Sequence, residues 1–312
     1  MPELRHDPVT DRPVLVAPER AGRPHTTRWQ AEPGDDAGGC PFCPGHEHMT
    51  PPEVLRTGEG APDTPGWRIR VFPNLYPMVG GEQAGPGATG AHEVVVFDPD
   101  HRRSLATLPE ATVAEVLAVW RARIGSHLGA GRRHVQAIVN HGRRAGASID
   151  HPHAQLVALD LVPPAIGGML DRFARARTDL VADQLAEAGE GVLGVLGGPA
   201  PAWCPYASAL PYEVRVTHRD AGARFDEAGD REVAEVAASV RDVLGRIQRA
   251  LGDVPYNLLL FTAPRDAAGP FRWFVEIQPR TTILAGFELG TGVYVNTVLP
   301  ELAARTLREA EP

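Results

Sequence analysis

Residues 134–159 read HVQAIVNHGRRAGASIDHPHAQLVAL, and this stretch decides the fold. Two mainly apolar runs, His134–Asn140 and His151–Leu159, flank a loop rich in Gly and Ser, which predicts two adjacent β-strands. Side chains two positions apart in a strand share one face, so His151, His153 and Gln155 are predicted to point the same way. The loop between the strands can present amides and hydroxyls to a phosphate.

The flanking sequence repeats one order of elements. A strand at His92–Phe97 and a helix precede the two strands, and the helix has apolar residues at helical spacing, namely Val113, Val116, Leu117, Trp120, Ile124 and Leu128. The same order returns as a strand at Tyr212–Thr217, a helix at Asp230–Leu251, and strands at Tyr256–Thr262 and Phe271–Pro279. We therefore predict an α+β fold built from a duplicated strand–helix–strand–strand unit.

Three further helical features are predicted around these units. Thr107 and Glu110 have the spacing of a capping box at the start of the first helix. A helix near Asp171–Ala188 joins the two halves, and a C-terminal helix spans Pro300–Glu309.

The two halves have diverged in their chemistry. The segment His151–Gln155 aligns with Arg272–Glu276, and His101 aligns with Ala221. The second half therefore lacks the histidine cluster, and we interpret it as a scaffold or a substrate-binding half.

Two of the three cysteines form the motif Cys40-Pro-Phe-Cys43. This spacing lets both sulfur atoms reach one Zn²⁺ ion at about 2.3 Å, although it supplies only half of a site. The missing ligands are expected among the histidines, with His46, His48, His92, His101, His151 and His153 as candidates. A redox pair and two unrelated thiols are the alternatives, and Pro44-Gly45 after the motif disfavours the redox helix.

Composition narrows the classes of function. The chain has 312 residues and a net charge of −8, which argues against broad nucleic-acid binding. All 31 basic residues are Arg, so neither a Schiff-base lysine nor a P-loop lysine is present. No run of about 18 apolar residues and no secretory signal occur, so we expect a cytoplasmic protein with no membrane partner.

A histidine on the strand after the Gly/Ser loop suits attack on phosphorus. A neutral imidazole is nucleophilic, and its phosphoramidate product is reactive enough to pass the group to a second acceptor. The other ring nitrogen has to be held by an acceptor such as a backbone carbonyl, because that bond fixes the tautomer.

Several motifs together resemble one known family. They are Asp7-Pro-Val-Thr10, Ala17-Pro-Glu-Arg-Ala-Gly-Arg-Pro24, Cys40-x-x-Cys43, Pro73-Asn-Leu-Tyr-Pro77, Asp98-Pro-Asp-His101, Asn140-x-Gly…Ala-Gly-Ala-Ser148, His151-Pro-His-x-Gln155 and Gly286-Phe-Glu288. The combination extends over nearly the whole chain and is similar to the galactose-1-phosphate uridylyltransferase branch of the histidine-triad superfamily.

The resemblance implies two histidine-triad-like halves, each an antiparallel sheet with packed helices. Residues 1–165 would be the catalytic, zinc-binding half, and residues 166–312 a half without the nucleophile. His153 would become nucleotidylylated, and Gln155 would hydrogen-bond the phosphoryl group and favour transfer over hydrolysis.

The resemblance also implies the binding residues. One structural zinc ion would be held by Cys40, Cys43, His101 and His151. The nucleotide and diphosphate would be bound by Arg20, Arg23, Asn74, Asn140 and Ser148. A second metal site, which family members often carry, is expected to be absent, since Ala221 and Arg272 stand at its likely ligand positions.

The acceptor pocket departs from the galactose pattern. Bacterial members that use galactose 1-phosphate place a Lys before Gly-Tyr-Glu, whereas Thr282 stands there in this chain, before Gly286-Phe287-Glu288. Phe287 and Glu288 are the expected substrate-binding residues of this pocket. The segment Gly286–Tyr294 is similar to the plant-type relatives that act on ADP-glucose with phosphate as acceptor.

The leading hypothesis is a UDP-glucose–hexose-1-phosphate uridylyltransferase, whose partners are a nucleotide-sugar and a sugar 1-phosphate or phosphate. The first alternative is an ADP-glucose phosphorylase or adenylyltransferase. A dinucleoside polyphosphate hydrolase is disfavoured by Gln155, and a non-enzymatic zinc-stabilised nucleotide-binding protein would require a displaced or shielded His153. The resemblance further implies a homodimer with each site completed across the interface.

Overall fold

The computed structural model describes residues 1–22, 37–80, 85, 87–267 and 269–311. Its helices are α1 (Glu110–Gly129), α2 (Pro164–Ala176), α3 (Leu180–Glu190), α4 (Asp230–Leu251), α5 (Gly286–Thr291) and α6 (Pro300–Glu309). Its strands are β1 (Glu3–His6), β2 (Pro13–Val16), β3 (Leu55–Gly58), β4 (Trp67–Pro73), β5 (Gly90–Val96), β6 (His134–His141), β7 (His153–Leu159), β8 (Gly194–Leu196), β9 (Ala202–Trp203), β10 (Val214–Val216), β11 (Tyr256–Phe261), β12 (Phe274–Pro279) and β13 (Tyr294–Asn296).

Ten strands form one antiparallel sheet in the order β3-β4-β5-β7-β6-β11-β12-β10-β9-β8. A separate sheet has the order β1-β2-β13, and its β2–β13 pair is parallel. The predicted α+β class is confirmed. None of the helices within the described ranges combines the length and the apolar character needed to cross a bilayer.

The large sheet has two similar halves, which meet at the central strand pair β6–β11. On one side Gln155 of β7 lies opposite Val94 of β5, and on the other Glu276 of β12 lies opposite Arg215 of β10. Both members of the second pair stand 121 positions after their counterparts in the first. This shared register is consistent with the predicted duplication, and the division at 165/166 stays a prediction.

The two faces of the large sheet are covered differently. Helices α1, α4 and α6 pack on one face and form the main core, which includes Ala154 and Leu156 of β7. Because side chains alternate along a strand, His153 and Gln155 lie on the opposite face. In the first half that face is covered by the loop that carries Cys40 and Cys43, and in the second half by α2 and α3.

Three predicted features differ from the structure. The joining helix is two helices, because Arg177 has a φ of 59° and the Asp179 side chain caps α3 by accepting from two backbone amides. The predicted capping box is wrong: Thr107 bonds Ser104 in the preceding turn, and α1 begins after Pro109 without a side-chain cap. His151 stands just before β7 rather than in it.

A cluster of buried charges fills the second half on the same face as the first half's active-site candidates. Arg215 is fully buried and forms ion pairs with Asp7 and, at 2.9 Å, with Glu276. Arg12 adds a second contact to Glu276 at 2.9 Å. Glu276 and Arg215, which correspond to Gln155 and Val94 of the first half, are therefore both engaged in ion pairs.

Arg215→Met is expected to lower the free energy of unfolding by about 3–5 kcal/mol, because it leaves the buried Asp7 without its cation and removes one of the two cations that contact Glu276. Urea unfolding followed by circular dichroism measures the change. Arg68→Met is the matched control, since Arg68 is exposed and pairs with Glu115 on the surface, and it should change the value by less than about 1 kcal/mol. Equal effects of the two substitutions would contradict a stabilising role for the buried cluster.

Candidate functional site

Four side chains converge beside the start of β7. The ligand atoms of Cys40, Cys43, His101 and His151 all lie within 4.8 Å of one another. The Cys43 sulfur is 3.5 Å from Nδ1 of His101 and 3.5 Å from Nδ1 of His151. A tetrahedral ion bound at about 2.3 Å from sulfur and about 2.0 Å from nitrogen keeps such atoms about 3.5 Å apart. This Cys₂His₂ group can hold a metal ion.

Buried polar contacts fix the loop that carries the cysteines. Glu47 accepts hydrogen bonds from the Trp67 indole at 2.8 Å and from the Gly45 amide at 2.9 Å. Nε2 of His151 donates to the Asp98 carbonyl at 2.7 Å, which leaves Nδ1 of this ring facing the sulfur atoms.

The remaining histidines named as candidate ligands have other positions. His46 donates from Nδ1 to the Cys40 carbonyl at 2.7 Å, and His48 is exposed. His92 and His153 lie on the sheet, where each bonds a neighbour that is described below.

Burial controls the protonation of the metal group. Burial, followed by the neighbouring Cys40, raises the pKa of Cys43 to about 11, so this thiol keeps its proton at neutral pH when no cation is bound. Burial also lowers the pKa of His151 to about 4, so its imidazole is neutral. A cation that binds here displaces thiol protons, and its affinity therefore falls with acidification.

His153 is oriented by the chain that precedes it. A carbonyl oxygen can only accept, so Nδ1 of His153 donates its proton to the His151 carbonyl at 2.8 Å. Burial lowers the pKa of His153, and the neutral ring then carries its lone pair on Nε2. The Phe42 ring packs against the imidazole with 5.2 Å between centroids. His153 therefore presents one nucleophilic nitrogen in a fixed direction.

Gln155 is held by a residue whose contribution the motifs did not reveal. Its side-chain carbonyl oxygen lies 2.9 Å from Nε2 of His92 on the neighbouring strand β5. Asn74 lies beside the same ring, with 3.2 Å between its side-chain nitrogen and Nε2 of His92. Sequence reasoning considered His92 only as a metal ligand, and strand pairing is the signal that connects it with Gln155.

The other predicted binding residues divide into two groups. Asn140 accepts a hydrogen bond from the Asn257 side chain at 2.8 Å and lines a small pocket together with His153. Ser148 is exposed on the loop that precedes β7. A separate cavity of about 910 Å³ is lined, among others, by Arg20, Phe287 and Glu288. Arg23 lies outside the described residues.

The second half replaces the histidines with other contacts. Phe274, 121 positions after His153, is buried and stacks on Phe261 with 4.8 Å between ring centroids. Arg272 is ion-paired with Asp179 at 2.6 Å, and Ala221 is buried. The expected absence of a second metal site from this half stays a prediction.

Fold and site together define a class of α+β proteins with paired half-sheets and a Cys₂His₂ group beside an oriented histidine. A family model described as galactose-1-phosphate uridyl transferase, N-terminal domain, matches residues 84–163, and a domain of unknown function (DUF4921) matches residues 226–310.

Whole-chain relatives agree with this match. ADP-glucose phosphorylase from Arabidopsis thaliana is 31% identical over 99% of this chain and 93% of its own length. Galactose-1-phosphate uridylyltransferase from Thermotoga maritima is 27% identical over 100% of this chain and 99% of its own. The crystal structure of an Arabidopsis thaliana ADP-glucose phosphorylase with bound ADP-glucose superposes with a TM-score of 0.86 at 29% identity, covering 99% and 98% of the two chains. The chain belongs to the galactose-1-phosphate uridylyltransferase family.

Proposed function

We propose that the protein is a hexose-1-phosphate nucleotidylyltransferase that moves a nucleoside monophosphate between a nucleotide-sugar and a hexose 1-phosphate through His153. The observation that carries the proposal is the hydrogen bond from Nδ1 of His153 to the His151 carbonyl, because it leaves Nε2 unprotonated. Relatives that span the whole chain and are named for this chemistry support it.

The reaction follows as two displacements at the same phosphorus. Nε2 of His153 forms a bond to the α-phosphorus while the bond to the bridging oxygen breaks, and a sugar 1-phosphate leaves with that electron pair. A phosphate oxygen of the acceptor then attacks the same phosphorus and releases the neutral ring. The His151 carbonyl accepts from Nδ1–H throughout and stabilises the positive charge of the phosphorylated imidazole. Two in-line steps retain the configuration at phosphorus.

The remaining site residues receive proposed roles. Gln155 and Asn74 hydrogen-bond the transferring group, and Asn140 and Ser148 border the loop that receives the nucleotide. Arg20 and Arg23 bind diphosphate oxygens, for which the planar guanidinium is well suited. The metal is zinc, held by Cys40, Cys43, His101 and His151, and when bound it supplies a structural crosslink beside the nucleophile.

The donor has two candidates. UDP-glucose, with galactose 1-phosphate as acceptor, is the leading one, and the uridylyltransferase from Thermotoga maritima supports it. ADP-glucose, with phosphate as acceptor, is favoured by a specific observation: the superposed Arabidopsis thaliana structure contains that ligand. Thr282 at the position of the acceptor lysine is also compatible with this second candidate.

We further propose a homodimer in which the segment with Phe287 and Glu288 completes the site of the partner. Ile283, Phe287 and Leu289 are exposed apolar side chains on this segment, with 73%, 48% and 75% of their surface accessible. Such a patch is typical of a protein–protein contact.

Incubation with α-³²P-labelled UDP-glucose and, separately, ADP-glucose tests the function. We expect acid-labile, base-stable label on His153, because a phosphoramidate has that stability. Faster labelling from UDP-glucose supports the leading donor, and faster labelling from ADP-glucose establishes the second candidate. Absence of label from both donors, on protein with a full metal content, would refute the transferase. Release of free nucleotide from a dinucleoside polyphosphate without labelled protein would instead favour a hydrolase.

A further inference from the structure

We propose that His92 is a positioning residue that fixes which end of the Gln155 carboxamide is available to the transferring phosphoryl group. The inference rests on the proposed function and adds a residue to its machinery. His92 lies on β5. Gln155 lies on the neighbouring strand β7, two residues after His153, the proposed nucleophile.

The tautomer of His92 follows from its backbone partner. The amide of Met78 can only donate, and it lies 3.1 Å from Nδ1 of His92. Nδ1 is therefore the acceptor and carries no proton. Burial lowers the pKa of His92, so the ring is neutral and its single proton is on Nε2.

This proton determines the orientation of Gln155. Nε2–H of His92 donates to the side-chain carbonyl oxygen of Gln155 at 2.9 Å. A flipped carboxamide would direct an N–H group against the N–H of His92, and that arrangement costs a hydrogen bond at a mostly buried position. The NH₂ end of Gln155 is therefore the end turned away from His92.

Asn74 does not compete for this proton. Its side-chain oxygen accepts from the Tyr76 amide at 2.9 Å, so the atom near His92 is its NH₂ nitrogen, which is a donor. Two donors cannot bond each other, and Gln155 remains the acceptor that Nε2–H of His92 reaches.

The orientation matters because the transferring group is anionic. An N–H donor from Gln155 stabilises the oxygens of the phosphoryl group, whereas a carbonyl oxygen in the same place would repel them. Without His92, the amide can rotate and divides its time between a productive and an unproductive orientation. Equal occupancy of the two orientations would slow the reaction about 2-fold, and complete loss of the donor would slow it of order 10²-fold.

Single-turnover labelling of His153 with the better nucleotide-sugar tests the inference. We expect His92→Leu to slow labelling by at least about 2-fold and at most about 100-fold, with metal content unchanged. His92→Gln, whose side-chain nitrogen can stand near the original Nε2, should recover most of the rate. The variant with both His92→Leu and Gln155→Ala should be no slower than Gln155→Ala alone, since both changes remove the same interaction.

His218→Leu is the matched control. His218 is also buried, accepts from the Asp220 amide at Nδ1 and bonds Glu235 through Nε2 at 2.7 Å, but it lies in the second half. A purely structural role for His92 would give both variants a lower melting temperature and an unchanged labelling rate per folded molecule. Unchanged labelling by His92→Leu, or fully additive effects with Gln155→Ala, would overturn the inference.

A second readout does not depend on turnover. ¹⁵N NMR of the wild-type histidines should identify His92 as the tautomer protonated on Nε2, and a proton on Nδ1 would overturn the inference. If wild-type protein takes no label from either donor, the proposed function fails and the inference fails with it. If wild-type protein labels and His92→Leu labels equally fast, only the inference fails.

Discussion

His153→Gly is expected to abolish covalent labelling and to reduce nucleotidylyl transfer by at least about 10³-fold. The substitution removes the nitrogen that attacks phosphorus, and a double displacement cannot proceed without a covalent carrier of the transferred group. The variant should retain its metal, because His153 is not among the four clustered ligand residues. Transfer measured by release of sugar 1-phosphate, with metal content measured by atomic absorption, checks both expectations.

His48→Gly is the control for this substitution, because His48 is an exposed histidine in the metal-bearing loop. It should transfer at a rate within about 2-fold of wild type, since exposed positions rarely affect chemistry. Full activity of His153→Gly would show that another residue is the nucleophile.

Cys43→Ser is expected to lower metal content and stability together. Cys43 is the ligand that contacts both histidines of the group, each at 3.5 Å, so its loss opens the centre of the site. Metal bound to the native state at 1,000 times its Kd contributes about 4 kcal/mol of stability, and this contribution disappears with the metal. Metal analysis after dialysis and urea unfolding with and without added zinc measure the two effects.

Cys204→Ala is the matched control for the cysteine substitution. Cys204 is fully buried in the main core, away from the Cys₂His₂ group. Its replacement should leave the metal content unchanged and cost about 1–2 kcal/mol through the lost packing alone. A Cys43→Ser protein that keeps one equivalent of metal and unfolds like wild type would contradict the assignment of the site.

Several elements could be predicted from local sequence because their signals are local. Helices α4 and α6 begin and end where periodicity and composition predicted, at Asp230–Leu251 and Pro300–Glu309. The break between α2 and α3 was missed because a left-handed backbone at Arg177 leaves no trace in the apolar periodicity. The false capping box had the right residue types, but Thr107 found a nearer partner in Ser104.

The candidate site was predictable to the extent that its residues are neighbours in the chain. Cys40 and Cys43 indicated half of a metal site, and the two remaining ligands came from a resemblance rather than from spacing. Extended by one residue, the strand register aligns His92 with Glu213, an offset of 121 positions, whereas the predicted alignment of His101 with Ala221 has an offset of 120. With this difference of one residue, His92 and Gln155 of the first half correspond to the buried carboxyls of Glu213 and Glu276 in the second half.

The sequence by itself predicted the α+β class, the strand that carries His153 and Gln155, and the family. Each of these depends on motifs whose own residues lie a few positions apart, where backbone geometry sets which side chains share a face. Only the tertiary structure decided that His92 holds Gln155, that Cys43 meets His101 and His151, and that ion pairs fill the second half. These contacts join residues between 58 and 264 positions apart. They form only when strands pair and loops pack, and sequence spacing does not specify which of many compatible partners will meet.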